Sequence, residues 1–241
     1  MRRITLTRQT KRAILHSITS TVEDYLKAIW TLSEDSGTHC AQQVSLGLLS
    51  ERLGVTPGTV TTMMRHLQKH GLVDYQPRRG VTLSSSGREA AIQILRRHRI
   101  IELFLVRVMK VDWAEVHVEA EALEHAVSDA LLARMDEMLG SPTHDPHGDP
   151  IPDALGQLPL EESRPLSECG PGNYRVVRVL GEDAPFLNWL HERGFKPGTR
   201  FSLDTLDPQG GTLTLKRPRT KKPDQTISLQ AARHLLVEQA S

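Results

Sequence analysis

Residues 117–129, HVEAEALEHAVSD, hold five side chains able to bind a metal, His117, Glu119, Glu121, Glu124 and His125, among small and apolar residues. At about 100° per residue, with His117 as origin, Glu121 falls near 40°, Glu124 near −20° and His125 near 80°. Four of the five therefore share one helical face. A solvated acidic face has no need to confine them to an arc of about 100°. Upstream, RHRIIELFL carries His98 and Glu102 four apart, on one face beside Leu95, Ile101 and Leu105. Such a pair alone is an ordinary surface hydrogen bond. Set opposite HVEAEALEHAVSD, it joins a group of carboxylates and imidazoles that repel one another and lose solvation unless a cation neutralises them. Neither motif contains Cys or Met. The donors are carboxylate oxygen and imidazole nitrogen, which favour Mn²⁺ or Fe²⁺ in six-fold coordination and also accept Zn²⁺ and Co²⁺.

The elements that must position these residues follow from periodicity and turn chemistry. In TVEDYLKAIWTLSED, Val22, Leu26, Ile29, Trp30 and Leu32 recur at helical spacing after a Ser/Thr start. LGLLSERLGVTPGTVTTMMRHLQKHGLV reads as helix, tight turn at Gly54 and Val55, and a second helix with Thr56 as N-cap and Pro57 at its first position. Leu48, Leu49 and Leu53 are expected to pack on Val60, Met64 and Leu67. The hydrogen-bonding start of the second helix, Thr56, Thr59, Thr61, Thr62 and Arg65, is then placed for the major groove of DNA. LVDYQPRRGVTLSSSG reads as two short strands around Pro77–Gly80, the wing of a winged helix, with Arg78 and Arg79 at backbone phosphates. Two long amphipathic helices are expected over 93–139, joined near VMKVDWAE. Residues 140–173 have linker composition, and His144 and His147 in HDPHGDPIP read as turn residues rather than ligands. Beyond them YRVVRVL, TRFSLDTL, GTLTLKRP and QTISL read as strands, with one short helix, APFLNWLHERG, closed by Gly194.

Charge is distributed unevenly along the 241 residues. Residues 1–110 carry 17 basic and 8 acidic side chains, residues 111–169 carry 2 and 14, and residues 170–241 carry 11 and 7. A basic first half points to a polyanion, and the acidic middle to cations. MRRITLTRQTKRAILHSITS has no acid and lacks the apolar core of a secretory signal, so it reads as a solvated basic arm. No apolar run approaches the roughly 18 residues of a membrane span. Cys40 and Cys169 are far apart and in no metal-binding spacing, which suits a reducing cytoplasm.

Winged helix, RHRIIELFL, VHVEAEALEHAVSD and HGDPIPD, in that order, resemble the diphtheria-toxin-repressor family of metal-dependent transcriptional regulators. Glu121, where the family also uses Cys, resembles its manganese-transport-regulator branch. The resemblance implies a mainly α protein. A winged helix-turn-helix DNA-binding domain with its basic arm would occupy 1–92, a helical metal-binding and dimerisation domain 93–160, and a small SH3-like β-barrel, related to ferrous-transport accessory domains, 170–241.

It also implies a primary metal site of Asp24, Glu121, Glu124 and His125 and an ancillary site of His98, Glu102 and His117, with His98 serving the primary cluster in some manganese-type members. Glu182 or Asp183 would be the barrel's contribution to the ancillary site, Pro185 standing where part of the family has a Gln. Lys27 stands where some relatives carry a second carboxylate, which speaks against a binuclear primary site. Mn²⁺ or Fe²⁺ is the expected cofactor, and a DNA operator and a second copy of the chain are the expected partners. The expected function is repression of metal-uptake genes in the cytoplasm, without enzymatic activity. Two other readings stay open on the residues alone. A metal-independent winged-helix regulator would use the acidic helix only for salt bridges. A dinuclear carboxylate enzyme is disfavoured because a second Glu-x-x-His helix is missing.

Overall fold

The computed structural model describes residues 19–34, 43–159, 162–181, 183–216 and 224–240. The basic arm up to residue 18, Cys40 and Glu182 lie outside them. The chain forms two compact units, one ending at Arg96 and the other beginning at Arg97.

In the first unit, α1 (Ser20–Glu34) buries Val22, Leu26, Ile29 and Trp30 of the expected stripe and Tyr25 beside them, while Leu32 is half-buried. Ser45 caps α2 (Leu46–Leu53) by accepting from Leu48 N, and Gly54, at φ 63°, ends it in the left-handed conformation that glycine adopts without strain. Thr56 caps α3 (Pro57–Lys69) with Pro57 in its first turn. Leu49, Val60, Met64 and Leu67 are buried as expected, whereas Leu48 is exposed. A helix of eight residues turns only one narrow stripe inward, and Leu48 sits about 100° from Leu49. Strands β1 (Val73–Gln76) and β2 (Gly80–Leu83) pair antiparallel, and Val44 bridges to Val81 on the other side of β2. The wing is therefore present at its expected place. Helix α4 (Ser85–Phe104) begins in this unit, eight residues earlier than the domain boundary expected at 93.

In the second unit α4 continues into a π-helical turn, Leu105–Met109, that ends at Lys110 with φ 61°. The second long helix expected here is instead two, α5 (Val116–Glu124) and α6 (Asp129–Leu139). Ser128 accounts for the break: its hydroxyl caps Leu131 N and starts a new helix where the apolar pattern alone runs on. Ile101 and Leu105 pack with Val116 and Ala120 in one small core, and Ile100 and Leu103 pack with Ile151 in another.

The segment after α6 is not a solvated linker. Asp145, His147, Gly148, Pro150, Ile151 and Pro152 are buried, and Asp145 Oδ1 accepts from both His147 N and Asp149 N at 2.8 Å. This Asx turn satisfies the backbone internally, so the loop can be packed away from water. Trp113 Nε1 donates to Pro146 O at 2.8 Å, and Val179 N donates to His147 O at 2.8 Å.

Strands β3 (Arg164–Pro165), β4 (Gly172–Val179), β5 (Arg200–Asp207), β6 (Thr212–Lys216), β7 (Gln225–Ser228) and β8 (Leu235–Gln239) form one antiparallel sheet in the order β3-β8-β4-β5-β6-β7. Its end strands β3 and β7 do not pair, so among the described residues the expected barrel is an open sheet. Helices α7 (Ala184–Glu192) and α8 (Leu229–Arg233) complete it, and its core takes in Trp113 and Ala114 from ahead of α5.

Gly148 sits where this loop meets β4: at φ 89°, a Cβ added to it would stand 2.1 Å from Val177 O. Gly148→Ala is expected to cost roughly 2 kcal/mol or more. The check is chemical unfolding, in which the transition of the second unit shifts to lower denaturant.

Candidate metal centre

Helix α4 brings His98 and Glu102 to the edge of the face whose Ile101 and Leu105 pack on α5, and α5 answers with His117, Glu121 and Glu124. His98 lies between two carboxylates. Its Nδ1 is 2.6 Å from Glu124 Oε2 and its Nε2 is 3.0 Å from Glu102 Oε1. His117 Nδ1 is 3.1 Å from the same Glu102 oxygen and 3.0 Å from His98 Nε2, and His117 Nε2 is 3.4 Å from Glu121 Oε1. His98, Glu102 and Glu124 are buried. One donor atom each of His98, Glu102 and His117, and likewise of His98, Glu121 and Glu124, lies within 4.8 Å of the others.

His125 follows as the C-cap of α5, its Nε2 3.5 Å from Glu124 Oε1. Glu119 is exposed, as its position off the shared face implies. Asp24 lies on α1 of the first unit, half-buried. Asp183 is the N-cap of α7, where Oδ2 accepts from Phe186 N at 3.0 Å. It joins none of the three-donor groups among the described residues.

The loop contributes a group that sequence reasoning missed. Glu102, Asp145 and His147, all buried, also bring one donor each within 4.8 Å. His147, expected to be a turn residue and not a ligand, does sit in a turn, and the same turn brings its ring beside Glu102 and Asp145. The available signal was Asp and His alternating with proline beside an apolar Ile151, a composition that a solvated turn does not require. Arg99, buried on α4, donates from one guanidinium nitrogen to Pro150 O at 2.6 Å and from another to Asp149 Oδ1 at 3.3 Å. Arg178 of β4 pairs with the same Asp149 oxygen.

The electrostatics differ between the two facing acids. Burial opposes ionisation of Glu102, but the charge of His98 and hydrogen bonds from His117 and His98 outweigh it and hold this carboxyl well below the usual range. Burial drives Asp145 the other way, well above the usual range, helped by the facing charges of Asp149 and Glu102 and opposed by Arg99.

On the first unit, Thr56, Thr59, Thr62 and Arg65 are exposed along the start of α3. Thr56 Oγ1 accepts from Thr59 N at 3.3 Å, and the Thr62 hydroxyl donates to Gly58 O at 3.0 Å. Thr61 is half-buried and its hydroxyl donates to Pro57 O at 2.9 Å. Arg78 and Arg79 are exposed at the wing tip, Arg78 with φ 68°.

The family described as iron dependent repressor, N-terminal DNA binding domain, matches residues 17–81, and the iron dependent repressor metal binding and dimerisation domain matches residues 84–153. The FeoA domain matches residues 164–239. The iron-dependent repressor IdeR of Mycobacterium tuberculosis is 30% identical over 214 residues, covering 83% of this chain and 91% of that protein. The diphtheria toxin repressor of Corynebacterium efficiens is 31% identical over 208 residues, 81% of this chain and 87% of its own. The chain belongs to the diphtheria-toxin-repressor family of metal-dependent transcriptional regulators. Within that family its likeness runs to the regulators of metal transport. A solved manganese-dependent transcriptional repressor in complex with manganese is 38% identical with a TM-score of 0.82, covering 91% of this chain and all of its own. The manganese regulator SloR is 29% identical with a TM-score of 0.74, covering 92% and 100%.

Members of this family are transcriptional repressors and not enzymes, which sets the dinuclear carboxylate enzyme aside. The donor set fits the family's metal: oxygen and imidazole nitrogen without sulfur, two of its carboxylates buried beside imidazoles. No helix among the described residues is long and apolar enough to cross a membrane.

Because Asp145 binds its proton more tightly folded than unfolded, the native state loses stability as pH rises from the ordinary Asp pKa, about 3.9, through the raised one. In metal-free protein Asp145→Asn removes that loss. Thermal melts in chelator should show the variant more stable than wild type at neutral pH, the difference shrinking towards pH 4.

Proposed function

We propose that this protein is a manganese- or iron-responsive repressor of metal-uptake genes that acts on its operator as a homodimer in the cytoplasm. The observation that carries the reading is the buried His98, with Glu124 at one ring nitrogen and Glu102 at the other. Two buried carboxylates that converge on imidazoles from separate helices are a costly arrangement for a surface of ordinary salt bridges.

Asp24, Glu121, Glu124 and His125 are assigned as the primary ligands and His98, Glu102 and His117 as the ancillary ones. The family resemblance supports the first set, and the proximity of His98, Glu102 and His117 supports the second. Asp183 caps α7 through Oδ2, which leaves Oδ1, and it and Glu182 stay the two candidates from the C-terminal domain. Bound at the primary site, a divalent ion supplies the positive charge that these acids need to stay together. The chain's own residues then divide the work. Asp24 belongs to the unit that carries α3, and Glu121, Glu124 and His125 to the helices that pair protomers.

Exposed Val118, Leu123, Leu131 and Met138 give α5 and α6 the apolar surface that dimerisation buries. Thr56, Thr59, Thr61, Thr62 and Arg65 read bases and phosphates, and Arg78 and Arg79 hold the neighbouring backbone. Two recognition helices must stand about 34 Å apart to enter successive major grooves. If one ordered state binds both metal and operator, each ligand tightens the other by the same factor. The domains are read as 1–92 for DNA, 93–160 for metal and dimerisation, and 170–241 as an SH3-like module.

Operator affinity should fall roughly 10- to 100-fold on chelation and return with Mn²⁺ or Fe²⁺. In Glu124→Ala the metal response should vanish while the protein stays dimeric; fluorescence anisotropy with Mn²⁺ titrated against fixed DNA measures it, and an undiminished response would overturn the assignment. Arg78→Ala with Arg79→Ala should weaken binding to every sequence and flatten the plot of log affinity against log salt by roughly 1.8, two phosphate contacts' worth. A slope equal to wild type would take the wing off the DNA.

A further inference from the structure

Arg97 precedes His98 on α4 and so projects about 100° away from it around the helix. Its guanidinium reaches the junction between α5 and α6, where one nitrogen donates to Val127 O and the other pairs with Asp129 Oδ1. These acceptors stand just beyond His125, the last of the four residues assigned to the primary metal site.

Of the three primary ligands in this stretch, His125 is the one whose place the helix fixes least. Glu121 and Glu124 lie within α5, whereas His125 is its C-cap and opens the turn that runs to Ser128, the N-cap of α6. Within that turn Ala126 N and Val127 N both donate to Leu123 O, at 2.9 and 3.0 Å, and the half-buried Val127 side chain packs with Ile101, Leu105, Val116 and Ala120. Carbonyls past a helix end lack the helical donor and need one from elsewhere. Arg97 brings that donor to Val127 O from the neighbouring helix. A planar fork that engages a backbone carbonyl and a carboxylate together fixes position as well as charge. Stability is a minor part of its use. The Arg97 side chain is 22% exposed and that of Asp129 46%, a setting in which an ion pair contributes little.

We propose that Arg97 is a positioning residue for the metal response, which by holding Val127 O sets where the His125 ring meets the ion. The inference rests on the primary-site assignment above and deepens it by naming the residue that readies its last ligand. A ligand carried on a turn must be held near its bound position by partners outside the coordination sphere, or its ordering is charged against metal affinity. Loss of such a partner typically weakens metal binding 10- to 100-fold.

The test measures Mn²⁺ affinity of the full chain from the electron paramagnetic resonance signal of the free ion, with thermal melts of each metal-free variant as the record of stability. Arg97→Met, which keeps an apolar stem and loses every donor, should weaken binding roughly 10-fold. Arg97→Lys, able to keep one donor on Val127 O, should recover part of that loss, and it carries the comparison if Arg97→Met does not fold. Asp129→Ala leaves the carbonyl contact in place and should cost less than Arg97→Met. The deciding measurement is the pair with His125→Ala: if Arg97 acts through that ring, Arg97→Met added to His125→Ala costs nothing further. The visible spectrum of Co²⁺-loaded Arg97→Met should also differ from wild type, which a loss of stability alone does not produce. Unchanged Mn²⁺ affinity in Arg97→Met, or the same loss with and without His125, would overturn the positioning role and leave the proposed function standing. Wild-type affinity in His125→Ala, or a wild-type protein that takes up no manganese or iron, would overturn the primary-site assignment and this role together.

Discussion

The structure of the second unit turns on a single electrostatic problem, the burial of Glu102 and Glu124 on either side of one imidazole. A carboxylate taken out of water needs hydrogen bonds and a compensating charge, or it returns to the surface and takes its helix along. Here His98 answers both acids, and His117 adds a second contact to Glu102. The apolar contacts of Ile101 and Leu105 with Val116 and Ala120 set the spacing at which those contacts close. Packing and charge are therefore not separable in this core. The methyl groups hold two helices in register, and the register brings together acids that tolerate one another only with a cation or protons between them.

The same reasoning explains why the neighbouring arginine does not quench the site. Arg99 follows His98 directly on α4 and points to Pro150 and Asp149 instead of Glu102. Asp149 takes Arg99 and Arg178 together, which closes an ion-paired group of its own beside the acids. A guanidinium's fixed fork favours this sort of commitment to a carboxylate and a carbonyl. Glu102 is left with the imidazoles of His98 and His117 as its bonded partners and Asp145 with two backbone N–H groups, and imidazole is a partner that can exchange a proton for a metal.

Much of this was readable in the amino-acid sequence because short-range rules set it. Thr56 and Pro57 announce the start of α3, Gly54 ends α2, and the Arg78–Gly80 turn joins two strands, each through local backbone chemistry. That His98 and Glu102 share one helical face, and His117, Glu121 and Glu124 another, was readable from helical period, and the family resemblance supplied the expectation that the two faces meet. Three features were not. The break between α5 and α6 depends on one serine hydroxyl competing with a pattern that reads as continuous. Leu48 looks like core by composition and lies off the buried stripe by one residue. The position of His147 depends on contacts far away in sequence, from Trp113 and Val179, which no local pattern contains.

That last case bears on how the C-terminal sheet is held. A Pro- and Gly-rich segment between two modules ordinarily signals a tether, with relative motion as the default. In HDPHGDPIP the prolines instead remove donors that burial would leave unsatisfied, and Asp145 supplies acceptors for the N–H groups that remain. Trp113 then binds the turn from two sides, donating to Pro146 O and accepting from the His147 ring, while its indole lies in the core of the sheet. The residue that starts the approach to α5 thus belongs at once to the sheet's core and to the turn that faces Glu102. A change in the charge state around Glu102 is felt at His147, whose donor lies within 4.8 Å, and the hydrogen bond of that ring to Trp113 O leads on to the sheet.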